Sequence, residues 1–254
     1  MDKGSYVVMN GKYQCPPDMA GRVWRVASRP FPAGGGVMAV VLEGHGGCYP
    51  VDGLHEVPQD MTRIIISGSR GANDYSVLLR TMSSIAAGIN KQSIEIVSGD
   101  CRGADKMGNL FAERNNIRLT KMPARWNENS RGAGVIRNEE MARYASFAPN
   151  RILVCLWDCS SKGAYNMIQN GMKYGIDTYV VNCVTGAPIL QYSGGKGEPK
   201  AYLYNEDIYV DGRSLFDTIL STGAWLSIIG SDGIPKDISP FGERIKNKNT
   251  EVDE

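Results

Sequence analysis

No apolar run in this sequence approaches the ~20 residues needed to span a bilayer. The start, Met1-Asp2-Lys3-Gly4, also lacks the apolar stretch of a secretory leader. A soluble, cytoplasmic protein with no membrane partner is the expectation. A surplus of positive charge is missing too. Lys+Arg 28 against Asp+Glu 27 leaves a formal net charge of +1, whereas domains that grip nucleic acid through its phosphates carry a clear basic excess. A dedicated nucleic-acid binder is therefore disfavoured, although a local basic cleft is not. Cysteine is too thinly spread for a disulfide scaffold, at six in 254 residues, and reduced thiols are expected. Histidine is scarcer still. His45 and His55 combine with Cys15 and Cys48 into one four-ligand zinc set, but the spacing matches no familiar ribbon, and Gly44, Gly46 and Gly47 put His45 in a turn. No metal and no cofactor is expected. Nor is there a Walker loop ending in GK[ST] or a full G-x-G-x-x-G, so ATP hydrolysis and dinucleotide oxidoreduction lose support.

Apolar material is ample, at 42% hydrophobic and 22% charged residues, and its periodicity divides the chain into three regions. Residues 1–60 carry short β-rich segments, Tyr6–Met9, Arg22–Ala27 and Val37–Leu42, separated by Pro/Gly stretches. A small antiparallel module is expected, SH3-like in length and turn spacing. Residues 61–184 alternate strand and helix signals, the mark of a parallel sheet covered by helices. The strands fall at Ile64–Ser67, Ile94–Ser98, Leu119–Pro123, Ile152–Trp157 and Thr178–Asn182. Helices are expected around Leu78–Ile89, capped by Asn73 or Asp74, around Met107–Phe111, over Ala133–Ala145 and over Lys162–Tyr174. The fold class is thus α/β, a Rossmann-like doubly wound sheet behind a small β module. Residues 185–254 read as an extension, with a flexible Gly/Lys stretch (Ser193–Lys200), a strand or hairpin at Tyr202–Val210, a short helix at Leu215–Leu220 and a frayed charged end at Lys246–Glu254.

Open parallel sheets bind ligands at the carboxyl ends of their strands, where loops lead into helix N-termini. Three such loops combine glycine, hydroxyls and one cation: Gly68-Ser69-Arg70 after the first strand, Ser98-Gly99 through Arg102-Gly103-Ala104-Asp105 after the second, and Asp158 through Ser161-Lys162-Gly163 after the fourth. Glycine lets backbone N–H groups approach an anion closely, so phosphate is the natural occupant. A single loop of this kind needs no ligand to explain it, since strand-to-helix turns use Gly and Ser for backbone reasons. Three together favour a nucleotide-like anion. After the third strand a polar segment adds Trp126, a flat surface for a base, with Arg137 and Asn138 able to meet phosphate or a polar edge. Cys101, beside Arg102 and a helix start, is the thiol expected to react fastest.

These pieces in their order resemble the YspA/YpsA-like branch of the SLOG superfamily, across about Thr62 to Cys183: Gly68-Ser69-Arg70, Ser98-Gly99, Arg102-Gly103-Ala104-Asp105, Trp126, Arg137-Asn138 and Ser161-Lys162-Gly163. That superfamily also holds the Lonely Guy phosphoribohydrolases and the DNA-processing protein DprA. The resemblance implies a Rossmann-like fold and a site for a nucleotide or nucleotide-derived signal, in a branch common in bacteria and their phages. One departure bears on activity. The Lonely Guy loop Pro-Gly-Gly-x-Gly-Thr-x-x-Glu supplies a catalytic carboxylate, and aligning Gly163 with the Gly of Gly-Thr puts Met167 at the glutamate. Three readings stay open: a binding protein for such a ligand, an N-glycosidic hydrolase of nucleoside 5′-phosphates using a relocated carboxylate (Asp74, Asp105 or Asp158), and a DprA-like binder of single-stranded DNA. The N-terminal module could serve self-association or close one side of the site.

Overall fold

The computed structural model describes residues 1–238 apart from 17, 18, 20 and 196. The expected frayed end at Lys246–Glu254 lies outside the described residues. Among its described residues the first region forms six short strands: β1 Tyr6–Met9, β2 Trp24–Arg25, β3 Phe31–Pro32, β4 Met38–Val40, β5 Tyr49–Pro50 and β6 Leu54–Val57. They pair antiparallel as β2-β1-β6 and β3-β4-β5, linked by a bridge between Val26 and Leu42, around Val7, Trp24, Val26, Val40, Leu42 and Leu54. Its likeness to SH3 folds rests on length and turn spacing alone.

The sequence Thr-Arg-Ile-Ile-Ile-Ser-Gly of β7 (Thr62–Gly68) is almost wholly buried because both of its faces are covered. Ile64 and Ile66 pack with α1 (Tyr75–Ile85) and α2 (Ala104–Asn115), through Leu78, Met82 and Met107. Ile65 packs on the opposite layer, against Met141, Met167, Ile168 and Met172 of α4 (Ala133–Ser146) and α5 (Lys162–Lys173). A near-continuous apolar run is what a strand buried on both faces requires. With β8 (Ile94–Ser98), β9 (Arg118–Lys121), β10 (Asn150–Trp157) and β11 (Asp177–Asn182), β7 forms a parallel sheet in the order β9-β8-β7-β10-β11. The winding reverses between β7 and β10, and there the loops at their carboxyl ends diverge to opposite faces and leave a crevice.

The region read as an extension continues this sheet. β12 (Pro188–Ser193) pairs antiparallel with β11, and β13 (Lys200–Leu203), β16 (Trp225–Ile229) and β17 (Pro235–Ile238) follow outward, giving one sheet of nine strands among the described residues. The expected flexible Gly/Lys stretch is the connection between β12 and β13. Between β13 and β16 lie the two-stranded β14 (Tyr209–Val210) and β15 (Arg213–Ser214) and the helix α6 (Leu215–Leu220). Alternation explains the attachment: Leu190, Tyr192, Ala201, Leu203, Leu226 and Ile228 turn into the layer of α5, whereas Gln191, Tyr202 and Ser227 turn outward.

Candidate functional site

The loop after β7 is made by close contacts. A Cβ at Gly68 (φ 153°) would fall 2.0 Å from the Leu156 carbonyl oxygen of β10, and one at Gly103 (φ 86°) would fall 2.4 Å from the Ser69 carbonyl oxygen. Glycine is therefore required at both. Ser69, fully buried, accepts at Oγ from the Asp158 N–H at 3.1 Å, tying the β7 loop to the β10 loop. Ser98 does the same within the β8 loop, accepting from the Asp100 N–H at 3.1 Å and donating to the Asp105 carbonyl at 3.2 Å. Ser69, Ser98 and Gly103 thus shape the edge rather than line it.

Between these loops and α4 lies a cavity of about 200 Å³ lined by Ser67, Gly68, Arg70, Cys101, Asp105, Trp126, Gly134, Val135, Arg137, Asn138, Ser161, Gly163 and Ala164. Eight of the sequence candidates meet there: Gly68, Arg70, Asp105, Trp126, Arg137, Asn138, Ser161 and Gly163. Trp126 opens the short helix α3 (Trp126–Asn129) and remains 49% exposed at the cavity, free to offer its ring. Ser161 caps α5, its Oγ facing the Ala164 N–H at 3.5 Å. Ser67, Gly134, Val135 and Ala164, which belong to the same loops and polar segment but are not among the expected ligand contacts, complete the lining with Cys101.

The floor is a buried charged pair. Arg137 Nη1 donates to Asp105 Oδ2 at 3.3 Å, Nη2 faces Cys101 Sγ at 3.6 Å, and Nε donates to Asn138 Oδ1 at 3.0 Å. Asn138 Nδ2 donates in turn to the Gly163 carbonyl and to Asn166 Oδ1, both at 3.0 Å, which locks α4 onto α5. Its amide is therefore committed within the protein. Gly99 stays outside the lining but sets the pair's position, because a Cβ there would lie 1.3 Å from Arg137 Nη1. Burial raises the Asp105 pKa above the ordinary carboxylate value, against the opposing pull of Arg137, the Cys101 N–H and the Ser67 hydroxyl.

The remaining candidates lie elsewhere. Lys162 is 74% exposed on its side chain and pairs with Asp211 Oδ1 at 2.9 Å, beyond β14, so it is drawn away from the cavity. Arg102 is exposed and outside the lining. Asp74 caps α1 by accepting from the Ser76 N–H at 2.9 Å, with its pKa lowered first by the Ser76 hydroxyl and N–H. Partial burial raises the Asp158 pKa, but N–H bonds from Ser161 at 2.7 Å and Ser160 at 3.0 Å outweigh it, and the carboxyl sits below its ordinary value. Asp74 and Asp158 hold turns; of the three carboxylates, Asp105 reaches the cavity. Met167 is fully buried in the core. The four zinc candidates do not assemble: His45 bonds Tyr49, His55 faces Arg118, and no group of three or more metal-ligating side chains forms among the described residues. No disulfide joins the six cysteines. Among the described residues no helix is long and apolar enough to cross a membrane.

Residues 62–128 match the YspA, cpYpsA-related SLOG family. That family is Rossmann-like, in keeping with the α/β sheet seen here, and the match runs from β7 into α3, taking in the loops after β7 and β8 and Trp126. Arg137, Asn138, Ser161 and Gly163 lie beyond it. No curated protein and no solved structure matches the chain.

Proposed function

We propose that the protein captures a nucleotide or nucleotide-derived small molecule at the carboxyl edge of its parallel sheet, with phosphate against the loops after β7 and β10 and the base toward Trp126. One observation carries this reading: at the β7–β10 switch point, glycine backbone, the Ser161 cap and the guanidinium groups of Arg70 and Arg137 line one cavity. Close-approaching backbone at a helix start is a general anion cradle, and planar guanidinium matches phosphate geometry. At about 200 Å³ the cavity is smaller than the ~300 Å³ at the lower end for drug-sized ligands. It suits the phosphate and sugar end of a nucleotide, with the base lying over the half-exposed indole.

Asp105 favours a second reading, N-glycosidic hydrolysis of nucleoside 5′-phosphates. It is a cavity-lining carboxyl with a raised pKa, the type of group that protonates a departing base or stabilises the cationic sugar left behind. Such an enzyme would use Asp105 in place of the loop glutamate of the Lonely Guy enzymes, since Met167 cannot act. Incubation with nucleoside monophosphates, dinucleotides and cyclic nucleotides, followed by mass spectrometry of the bound fraction and the supernatant, tests both. Intact ligand recovered from denatured protein supports capture, and free base that grows with protein and time supports hydrolysis. Absence of both removes the two readings together.

A further inference from the structure

The Arg137–Asp105 pair is nearly enclosed, at 8% and 2% exposure, yet it is poorly bonded for buried charges. The N–H···O contact between the two charged groups is 3.3 Å, against about 2.7–2.9 Å for an ordinary charge-assisted bond. The other terminal nitrogen faces a thiol sulfur at 3.6 Å, a weak acceptor. A Cβ at Gly99 would clash with Nη1 and Asn138 holds Nε, so Arg137 is fixed with Nη1 on a long contact to Asp105 and Nη2 on a thiol, beside the cavity. An oxyanion in the cavity would offer those donors better acceptors.

We propose that Asp105 is a resident counter-ion which an entering phosphate replaces: the anion takes over Nη1 and Nη2 of Arg137, and Asp105 takes up one proton from solvent. The inference deepens the capture reading and rests on it. One O–H bond forms on Asp105, the proton comes from water or buffer, and no other bond changes. The groups facing Asp105 are Arg137 of α4, Cys101 of its own loop through an N–H at 3.3 Å, the Ser67 hydroxyl of β7 and the Cys155 thiol of β10, with Arg70 on the same cavity wall. Among them Arg137 is the ion-pair partner. Losing it to an anion leaves a desolvated carboxylate next to negative charge, and both effects favour the protonated form. Binding then weakens as pH rises through the window between the pKa of Asp105 in the free protein and its higher value in the complex.

Calorimetry of the full chain with sulfate and with AMP, in two buffers of different ionisation enthalpy, measures the proton. Sulfate stays dianionic over the range used, so a proton taken up with it belongs to the protein. Uptake of about half to one proton, with sulfate affinity falling by up to about tenfold per pH unit inside the window, is expected. Asp105→Asn should bind sulfate with no buffer dependence; if that variant does not fold, the wild-type measurement stands alone. A probe that binds with buffer-independent enthalpy overturns the exchange and leaves nucleotide capture intact. Sulfate bound with proton uptake while AMP fails to bind keeps the exchange and removes the nucleotide. Binding of neither overturns both.

Discussion

Replacing Gly163 by valine separates what the fold needs from what the ligand needs. A Cβ at this position meets no heavy atom within 4 Å, although the residue lines the cavity, so the added carbons enter open space. Gly163 is the second residue of α5, behind the Ser161 cap, and glycine is worse than valine inside a helix by a few tenths of a kcal/mol. The melting temperature of the free variant should therefore hold or rise by about one degree. Binding should behave otherwise. A ligand at a hundred times its Kd stabilises by about 2.7 kcal/mol, and for a chain of this length each kcal/mol is worth roughly 2–4 °C. Wild-type protein with saturating AMP should thus melt roughly 5–10 °C higher. In the variant, three carbons stand in a cavity of about 200 Å³ where the anion meets the start of α5, and the shift should vanish. Differential scanning fluorimetry with and without AMP, supported by calorimetry, reads both numbers. A variant that keeps both the wild-type melting temperature and the wild-type AMP shift would refute this placement of the ligand.

Gly99→Ala should do the opposite and damage the free protein, because its Cβ would displace Arg137 from Asp105; a loss of about 3–5 kcal/mol in urea unfolding is expected for a broken buried pair, and unchanged stability would mean that the loop gives way easily. Arg70→Ala should weaken AMP binding by about 1.5–3 kcal/mol, the value of a charge-assisted hydrogen bond, whereas Arg102→Ala, outside the cavity, should change it little; calorimetry that finds equal losses would show that the β8 loop turns inward on binding. Alkylation followed by peptide mass spectrometry should find exposed Cys48 modified at the same rate with or without AMP and Cys101 slowed by it, and indifference of Cys101 would place the ligand elsewhere.

The central sheet is legible in the sequence because strands buried on both faces need uninterrupted apolar residues. Ile64-Ile65-Ile66 and Leu153 through Trp157 carry that signal unaided, and the expected strands fall within about two residues of those observed. β12, β13 and β16 are harder to see. Each exposes one face, so Gln191, Tyr202 and Ser227 interrupt the apolar pattern, and the strands are held by pairing outward from β11 rather than by local preference. The site divides in the same way. Its glycines and serines are visible because backbone geometry demands them, but where a cation points depends on distant partners. Lys162 is captured by Asp211 in a region to which the sequence assigns no role, and Arg137 by Asp105 on another helix.

The two buried ion pairs differ in how fully their charges are bonded. At the amino end, Arg63 Nε donates to Glu95 at 2.9 Å, and Nη1 donates to the carbonyls of Gly21 and Tyr144 at 2.7 and 2.6 Å. Glu95 accepts further from Thr120 and Tyr144, and the Tyr144 ring lies 3.8 Å from the guanidinium. Burial pushes the Tyr144 hydroxyl up to about 12, so it stays a donor at neutral pH. Every contact there is short and joins separate elements, the N-terminal module included, as a pair serving only the fold requires. The pair at the carboxyl end uses similar chemistry with a longer contact and a thiol in place of an oxygen acceptor. Desolvating charge with long or weak partners gains less for folding, and the Arg137–Asp105 pair is less fully bonded than Arg63–Glu95. That difference is what the proposed exchange requires, since an entering phosphate would offer Nη1 and Nη2 of Arg137 better acceptors than they now have.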